Sequence, residues 1–322
     1  MALPGCNLLG SLTYPSLDPG EAAHVAVAGG TAYVALGATG VEVLDVDARA
    51  RVALLPPPDG AGSSDHLCVA DGKLFVLDAR RGRLSVYSTA SPRAPRLTAA
   101  PVAVPVGPFS GVSAGGGRVI VSGGTSELTV LSYDAAGRLG GARATADLGR
   151  GQPEVRIAPD GEHAVVSTHF TRPDFGLTTL LVRPPPEAPV VQGKLTLEAA
   201  GFTPGGFKPA NFPLVTVLQG DRLIAAYGAG LAVVDVSVPT HPRLVRVVPL
   251  DVAPVSAAVA GATLAVVGSS PAPRLVLLDA ATLEVVRSQL LPAGSKGLDV
   301  ALTASHVVIA AGPRGALVLP RN

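Results

Sequence analysis

Short runs of β-favouring apolar residues recur along the whole chain, separated by turns that contain glycine or aspartate. The pattern is clearest over residues 23–55, with the runs His-Val-Ala-Val-Ala, Ala-Tyr-Val-Ala-Leu, Val-Glu-Val-Leu-Asp-Val and Arg-Val-Ala-Leu-Leu. Brief runs of this composition, bounded by turn residues, are typical of β-strands. This stretch is therefore predicted to form one antiparallel unit of four strands.

The unit is used repeatedly. The same pattern returns with a period of about 43 residues, which matches a four-stranded propeller blade. Aligning the units places seven residues at the start of successive first strands: His24, His66, Ser110, Glu154, Leu214, Ser256 and Asp299. The fourth interval is longer by about 17 residues, and we place this insertion between Glu198 and Phe212. The pattern predicts an all-β fold, a seven-bladed β-propeller that forms a single domain over residues 1–322.

The last blade is predicted to contain both ends of the chain. The predicted blades cover approximately residues 22–57, 65–99, 109–148, 153–198, 212–250, 254–291 and 297–319 plus 7–14. The seventh unit supplies three strands, and residues 7–14 supply its outer strand. Pairing the first and last segments closes the ring and removes two exposed strand edges.

Three blades resemble known propeller repeats. The first blade (Val-Ala-Gly-Gly-Thr-Ala-Tyr-Val-Ala) and the fifth (Gly-Leu-Ala-Val-Val-Asp-Val-Ser-Val-Pro-Thr-His-Pro) resemble the LVIVD repeats of bacterial propellers. The fourth, with Ile-Ala-Pro-Asp-Gly-Glu-His-Ala-Val-Val, is similar to YVTN-type repeats, including those of the seven-bladed lactonase family. These motifs are core and turn residues, so the resemblance implies a fold and carries no catalytic residue across.

Composition narrows the function classes. Apolar residues make up 48% and charged residues 15%, with a net charge of +1, which argues against disorder and against a nucleic-acid partner. The apolar runs fall short of the roughly 18 residues that a transmembrane helix needs. Leu3-Pro4-Gly5-Cys6 resembles a lipoprotein cleavage site, but the residues before it are too few for a complete signal peptide. We expect a cytoplasmic protein as given, or a secreted or lipid-anchored one if the chain was trimmed.

Titratable residues are predicted to gather at one end of the central channel. In a propeller the first strand of each blade lines the channel, so the residues that open these strands lie on one face, here called the top. His24, His66, Glu154 and Asp299 fall there, and His169 belongs to a top loop. Histidines beside carboxylates suit acid-base catalysis, and His24, His66 and Asp299 could alternatively hold a divalent metal. A solvated channel lining is an equally simple explanation.

Phenylalanines show a second unusual distribution. Six of the seven fall in predicted top-face loops of the third to fifth blades: Phe109, Phe170, Phe175, Phe202, Phe207 and Phe212. Strands favour aromatic residues and surface loops usually do not. These side chains could pin the long insertion onto the propeller, or they could line an apolar pocket together with Arg172 and Tyr227.

Two further motifs have simpler explanations. Gly111-Val112-Ser113-Ala114-Gly115 matches the pattern of a nucleophile elbow, but it opens a predicted inner strand rather than a strand-to-helix turn. Asp45-Val46-Asp47 could suggest calcium binding, but the repeat ends its third strand with Asp at Asp235 and Asp279 as well, which explains the motif more simply.

Two functions remain open after these exclusions. In the first, the top mouth binds a small, partly apolar molecule and acts on it by acid-base or metal-assisted chemistry, as a lyase, a lactone hydrolase or a cyclase. In the second, the protein is a non-catalytic scaffold that binds another protein, which the LVIVD resemblance favours.

Overall fold

The computed structural model describes residues 12–14, 20–106, 110–123, 127–148, 154–158, 160–168, 176–197, 215–227, 230–270 and 272–321. The described residues are organised in seven antiparallel sheets, which form the blades of a β-propeller. The predicted fold is therefore confirmed. In this part of the chain no helix is long and apolar enough to cross a membrane.

Each blade places one strand beside the channel and further strands outward from it. The inner strands are β2 (His24–Ala28), β6 (His66–Ala70), β11 (Gly111–Gly115), β15 (Glu154–Ile157), β19 (Val215–Gln219), β23 (Ala253–Ala260) and β27 (Asp299–Leu302). The second strands are β3 (Thr31–Ala35), β7 (Lys73–Asp78), β12 (Arg118–Ser122), β16 (His163–Thr168), β20 (Arg222–Tyr227), β24 (Thr263–Ser270) and β28 (His306–Ala310).

The outer half of each blade contains its third strand and its edge. The third strands are β4 (Val41–Asp45), β8 (Arg83–Ser88), β13 (Glu127–Tyr133), β17 (Gly176–Leu181), β21 (Gly230–Asp235), β25 (Arg274–Asp279) and β29 (Ala316–Pro320). The outer strands are β5 (Ala50–Leu55), β9 (Arg96–Leu97) with β10 (Val102–Ala103), β14 (Leu139–Asp147), β18 (Val190–Thr196), β22 (Arg243–Pro249), β26 (Val285–Leu290) and β1 (Leu12–Tyr14).

The N-terminal strand completes the last blade. Strand β1 pairs antiparallel with β29, with Leu12 opposite Val318 and Tyr14 opposite Ala316. The predicted closure of the ring by the two ends of the chain is thus confirmed.

The second blade departs from the regular pattern because its outer position is divided. Strands β9 and β10 pair separately with β8. Pro101 lies between them and has no backbone N–H to donate to a ladder, which interrupts the edge.

The core lies between the blades rather than around one centre. Each pair of neighbouring blades shares a cluster of buried, mostly aliphatic side chains, including the pair formed by the last and first blades. Polar contacts supplement this packing: Tyr33 Oη of the first blade donates to Pro92 O, and Thr179 Oγ1 of the fourth donates to Pro239 O. The proline-containing segments after the third strands of the second and fifth blades therefore bind the preceding blade.

The aspartates that end third strands stabilise turns. Asp45 Oδ1 accepts from Ala48 N at 3.0 Å, and Asp235 Oδ1 accepts from Ser237 N at 2.9 Å. Asp279 Oδ1 accepts from Ala281 N at 2.9 Å. Because these carboxylates bind backbone N–H groups, the turn interpretation is supported over calcium binding.

Several outer strands contain a β-bulge at the same place. The pairing register shifts by one residue in the first, fourth, fifth and sixth blades. The residues left without an opposite partner are Val52, Gln192, Val245 and Val286. A bulge disrupts the ladder locally and increases the twist of the edge.

Candidate functional site

Three of the predicted site residues have side chains that the structure describes: His24, His66 and Asp299. Glu154 opens inner strand β15 opposite Ser167, and Tyr227 ends β20 opposite Gly230, as their backbone pairing shows. The other predicted site residues lie outside the described residues: His169, Arg172, Phe109, Phe170, Phe175, Phe202, Phe207 and Phe212.

His24, His66 and Asp299 open the inner strands of the first, second and seventh blades, which are neighbours in the ring. Each lies at the same distance from the turn of its hairpin as Ser256 of the sixth blade, a position here called the level. The alignment of the repeat is displaced by one residue in the third and fifth blades, where the hairpin register assigns this level to Gly111 and Val215 rather than to Ser110 and Leu214.

Asp299 is the centre of this group. Its Oδ1 accepts from Ser256 Oγ at 2.5 Å and from Val300 N at 2.9 Å, and its Oδ2 accepts from Val25 N at 2.9 Å. His24 Nδ1 lies 3.3 Å from the same Oδ2. The carboxylate therefore joins the inner strands of the sixth, seventh and first blades.

The environment keeps Asp299 ionised. Burial by itself would raise the pKa of this carboxyl, but the contacts from His24, Ser256 and Val25 outweigh burial and hold the pKa below its ordinary value. A carboxylate beside an imidazole favours a proton on the nitrogen that faces it. Asp299 thus favours the Nδ1–H form of His24, in which Nε2 carries the lone pair.

The ring of His66 packs beside the ring of His24. The ring centroids of His24 and His66 are 4.3 Å apart, with planes inclined at 49°. Burial, followed by the nearby His24, lowers the pKa of His66 to about 3, although Asp299 acts in the opposite direction. His66 is therefore a neutral imidazole at physiological pH, able to donate or accept a hydrogen bond.

The site is open to solvent on one side. The side chain of His24 is 36% exposed and that of Asp299 is 18% exposed. A molecule at the channel mouth can consequently reach His24, whereas Asp299 is mostly covered by its donors. The geometry offers one accessible imidazole, one neutral imidazole beside it and a carboxylate that orients the accessible ring.

The metal hypothesis receives no support from this geometry. Within the described ranges, no group of three or more His, Cys, Asp or Glu side chains is arranged to hold a metal ion. Asp299 also uses both oxygens to bind protein donors.

Deeper in the channel, the polar groups connect neighbouring blades. Arg156 Nε donates to Thr216 O at 3.0 Å, and Ser113 Oγ accepts from Ile157 N at 3.1 Å. Ser113 therefore lies within an inner strand and binds the next blade, in agreement with a chance match to the nucleophile-elbow pattern. Burial raises the pKa of the Cys68 thiol, which opposes a thiolate role. The repeat pattern does not single out Arg156, although a charged residue within an inner strand is a usable signal.

Comparison with known proteins supports the fold. The family model described as "LVIVD repeat" matches residues 19–55 and 222–248. The chain carries LVIVD repeats. No curated protein sequence is significantly similar to the chain.

Solved structures give the same architecture at low sequence identity. A protein from Lactobacillus plantarum is similar with a TM-score of 0.62 and 16% identity, covering 84% of each chain. The structure of U3-55K is similar with a TM-score of 0.67 and 10% identity, covering 95% of this chain and 97% of the other. Likeness at this identity concerns the fold alone.

Proposed function

We propose that the top mouth of the channel binds a small, partly apolar molecule and that His24 acts on it as a general base. The observation that carries this proposal is the contact of Asp299 with His24, which directs the lone pair of Nε2 away from the carboxylate. His66 is the neutral neighbour that hydrogen-bonds the ligand. The reactions that suit such a site are proton abstraction in a lyase or cyclase and activation of water in a lactone hydrolase.

In this proposal the apolar side of the ligand contacts the loop phenylalanines of the third to fifth blades. Phe207 is the chosen probe, because the competing explanation is that these residues only pin the insertion. Phe207→Ala should weaken ligand binding and leave the melting temperature nearly unchanged. A loss of stability with unchanged ligand affinity would assign Phe207 to packing.

The first experiment looks for a ligand and for turnover. Aryl carboxylates and aryl lactones are screened by thermal shift, since a ligand that binds only the folded protein raises its melting temperature. Hydrolysis of dihydrocoumarin is then followed by spectroscopy. We expect His24→Gln to lower turnover by about 100-fold or more, the usual contribution of a general base.

His163 provides a matched control, because its Nδ1 also contacts an aspartate, Asp160 Oδ2 at 2.9 Å, in a turn on the opposite face. His163→Gln should leave binding and turnover unchanged. Equal losses in the His24 and His163 variants, or no thermal shift with any compound of the panel, would contradict the proposal.

A non-catalytic scaffold is the second candidate function. It is favoured by the hydrogen bonds that both oxygens of Asp299 accept from protein groups of three blades. On this account the contact between His24 and Asp299 fastens the joint between the last and first blades, and the protein presents its surface to a partner. Asp299→Asn would then reduce stability while His66→Gln would affect neither binding nor stability.

A further inference from the structure

Ser256 is a polar residue of an inner strand, and the proposed function leaves it without a role. It lies in β23 of the sixth blade, at the same level as His24 and Asp299. The residue is 7% exposed, and its Oγ donates to Asp299 Oδ1 at 2.5 Å. Burial leaves Ser256 little surface for a ligand, so an effect on the site must pass through Asp299.

The chemistry of the two groups fixes the direction of this hydrogen bond. An ionised carboxylate only accepts hydrogen bonds, so the Ser256 hydroxyl is the donor. A short bond from a hydroxyl to a charged oxygen is stronger than a bond between two neutral groups. The bond therefore ties the inner strand of the sixth blade to that of the seventh at the level of the site.

The other oxygen of the same carboxylate is directed at the first blade. Asp299 Oδ2 accepts from Val25 N at 2.9 Å and lies 3.3 Å from His24 Nδ1. The two oxygens of a carboxylate lie in one plane with the carbon between them, so a group that holds Oδ1 also sets the direction of Oδ2. Ser256 thus acts on the oxygen that faces His24 from the far side of the carboxylate.

Two described donors hold Oδ1, and they differ in origin. Val300 N, at 2.9 Å, belongs to the residue next to Asp299 in β27, whereas Ser256 belongs to another blade. Loss of the Ser256 hydroxyl would release Oδ1 from the sixth blade and allow the carboxylate to turn about its Cβ–Cγ bond. Against the effect of burial, the contacts from His24 and Ser256 also hold the pKa of Asp299 below its ordinary value.

We propose that Ser256 is a positioning residue for His24, which it orients through Asp299. With Oδ2 held toward Nδ1, the ring keeps its proton on Nδ1 and directs the lone pair of Nε2 away from the carboxylate. The contacts run across the sixth, seventh and first blades. This inference rests on the proposed function for the use of Nε2 in a reaction, but the tautomer of His24 is measurable without a substrate.

The first test is the tautomer of His24, observed by NMR of 15N-labelled protein at pH 9, with His24→Gln used for assignment. In the unmodified protein we expect Nδ1 to be protonated and Nε2 to carry the lone pair. Ser256→Ala should give a mixture of the two tautomers, and Ser256→Thr, which keeps a hydroxyl, should restore the original spectrum. Spectra are recorded well below the melting temperature of each variant, so that the folded state is compared throughout.

Ser113 provides the matched control. It is also 7% exposed, lies in inner strand β11, and its Oγ accepts from Ile157 N of the next blade at 3.1 Å. Ser113→Ala therefore removes a similar bond between blades, at the joint of the third and fourth blades. The tautomer of His24 should be unchanged in this variant.

The second test is kinetic. For a compound that the protein turns over, Ser256→Ala should lower kcat by about tenfold with little change in KM. This loss is smaller than that expected for His24→Gln, because Val25 N and Val300 N still hold the carboxylate.

The outcomes separate this inference from the proposed function. A pure Nδ1–H tautomer in Ser256→Ala, or the same mixture in Ser113→Ala, would overturn the role of Ser256. Failure to find a ligand or turnover would overturn the proposed function alone, because the tautomer spectra depend on neither. A ring of His24 protonated on Nε2 in the unmodified protein would overturn both.

Discussion

Glu42 provides the sharpest test of how the ring is held together. It lies in the third strand of the first blade, is 1% exposed, and its Oε2 has no hydrogen-bond partner. The corresponding residues of the sixth and seventh blades are Val276 and Leu317, both fully buried. An apolar residue of similar size should therefore fit in place of Glu42.

We expect Glu42→Leu to stabilise the protein. Leaving a buried polar atom unpaired costs about 1–3 kcal/mol, and the substitution removes that cost. The substitution removes the attraction between Arg51 and the Glu42 carboxylate. Arg51 Nη1 also has no hydrogen-bond partner, but the residue is partly exposed, so its guanidinium can turn toward water. The net gain in the free energy of unfolding at pH 8 should be about 1–3 kcal/mol.

The gain should depend on pH. Burial raises the pKa of Glu42 above its ordinary value of 4.5, although Arg51 acts in the opposite direction. A raised pKa in the folded state gives stability that is fully present below the ordinary value and is lost as the pH rises through the folded value. The advantage of the leucine variant should consequently be largest at pH 8 and shrink toward pH 4.

Urea unfolding followed by circular dichroism at pH 4 and pH 8 measures this difference. Glu284→Leu is the control, because Glu284 is exposed and the substitution there removes no buried polar atom. If Glu42→Leu lowered the free energy of unfolding at pH 8, the Glu42 carboxylate would have to be hydrogen-bonded in the native protein, and the reasoning would be refuted.

Three further predictions concern the joints between blades and the closure of the last blade. Gly193→Ala should lower the free energy of unfolding by about 1–3 kcal/mol, because a Cβ would lie 2.4 Å from Pro239 O. Gly141→Ala is the control: a Cβ there has nothing within 4 Å, so urea unfolding should be nearly unchanged. Asp299→Asn should lower the free energy of unfolding by about 1–3 kcal/mol at pH 7, because the amide N–H group would face one of the donors that Asp299 now accepts from. The low folded pKa of Asp299 means that this loss should diminish on acidification, and a constant loss would contradict it. Deleting residues 1–14 should expose the edge of β29 and yield insoluble protein; a soluble product with an unchanged melting temperature would refute closure by β1.

The sequence was sufficient for the fold because every blade repeats the same strand and turn pattern. The period placed His24, His66 and Asp299 at equivalent positions, so their level in the channel could be predicted. The contact between Asp299 and His24 could not, because it depends on which side chains turn toward each other where the last blade meets the first.

Smaller errors have local causes. The repeat was displaced by one residue at Ser110 and Leu214, because the Gly-rich third hairpin and the insertion before the fifth weaken the pattern there. The division of the second outer strand near Pro101 was also missed, although proline is a known interruption of a ladder. Nothing in the sequence pattern distinguished Glu42 from an outward-facing strand residue.

At the channel mouth, the His66 ring packs beside the His24 ring, and this environment sets the protonation of His66. The direct measurement is an NMR titration of the His66 ring, with His66→Gln used for assignment. We expect His66 to stay neutral down to about pH 4, because its pKa is lowered to about 3 by burial and by His24. A His66 ring that titrates near 6.5, the ordinary value for histidine, would contradict it.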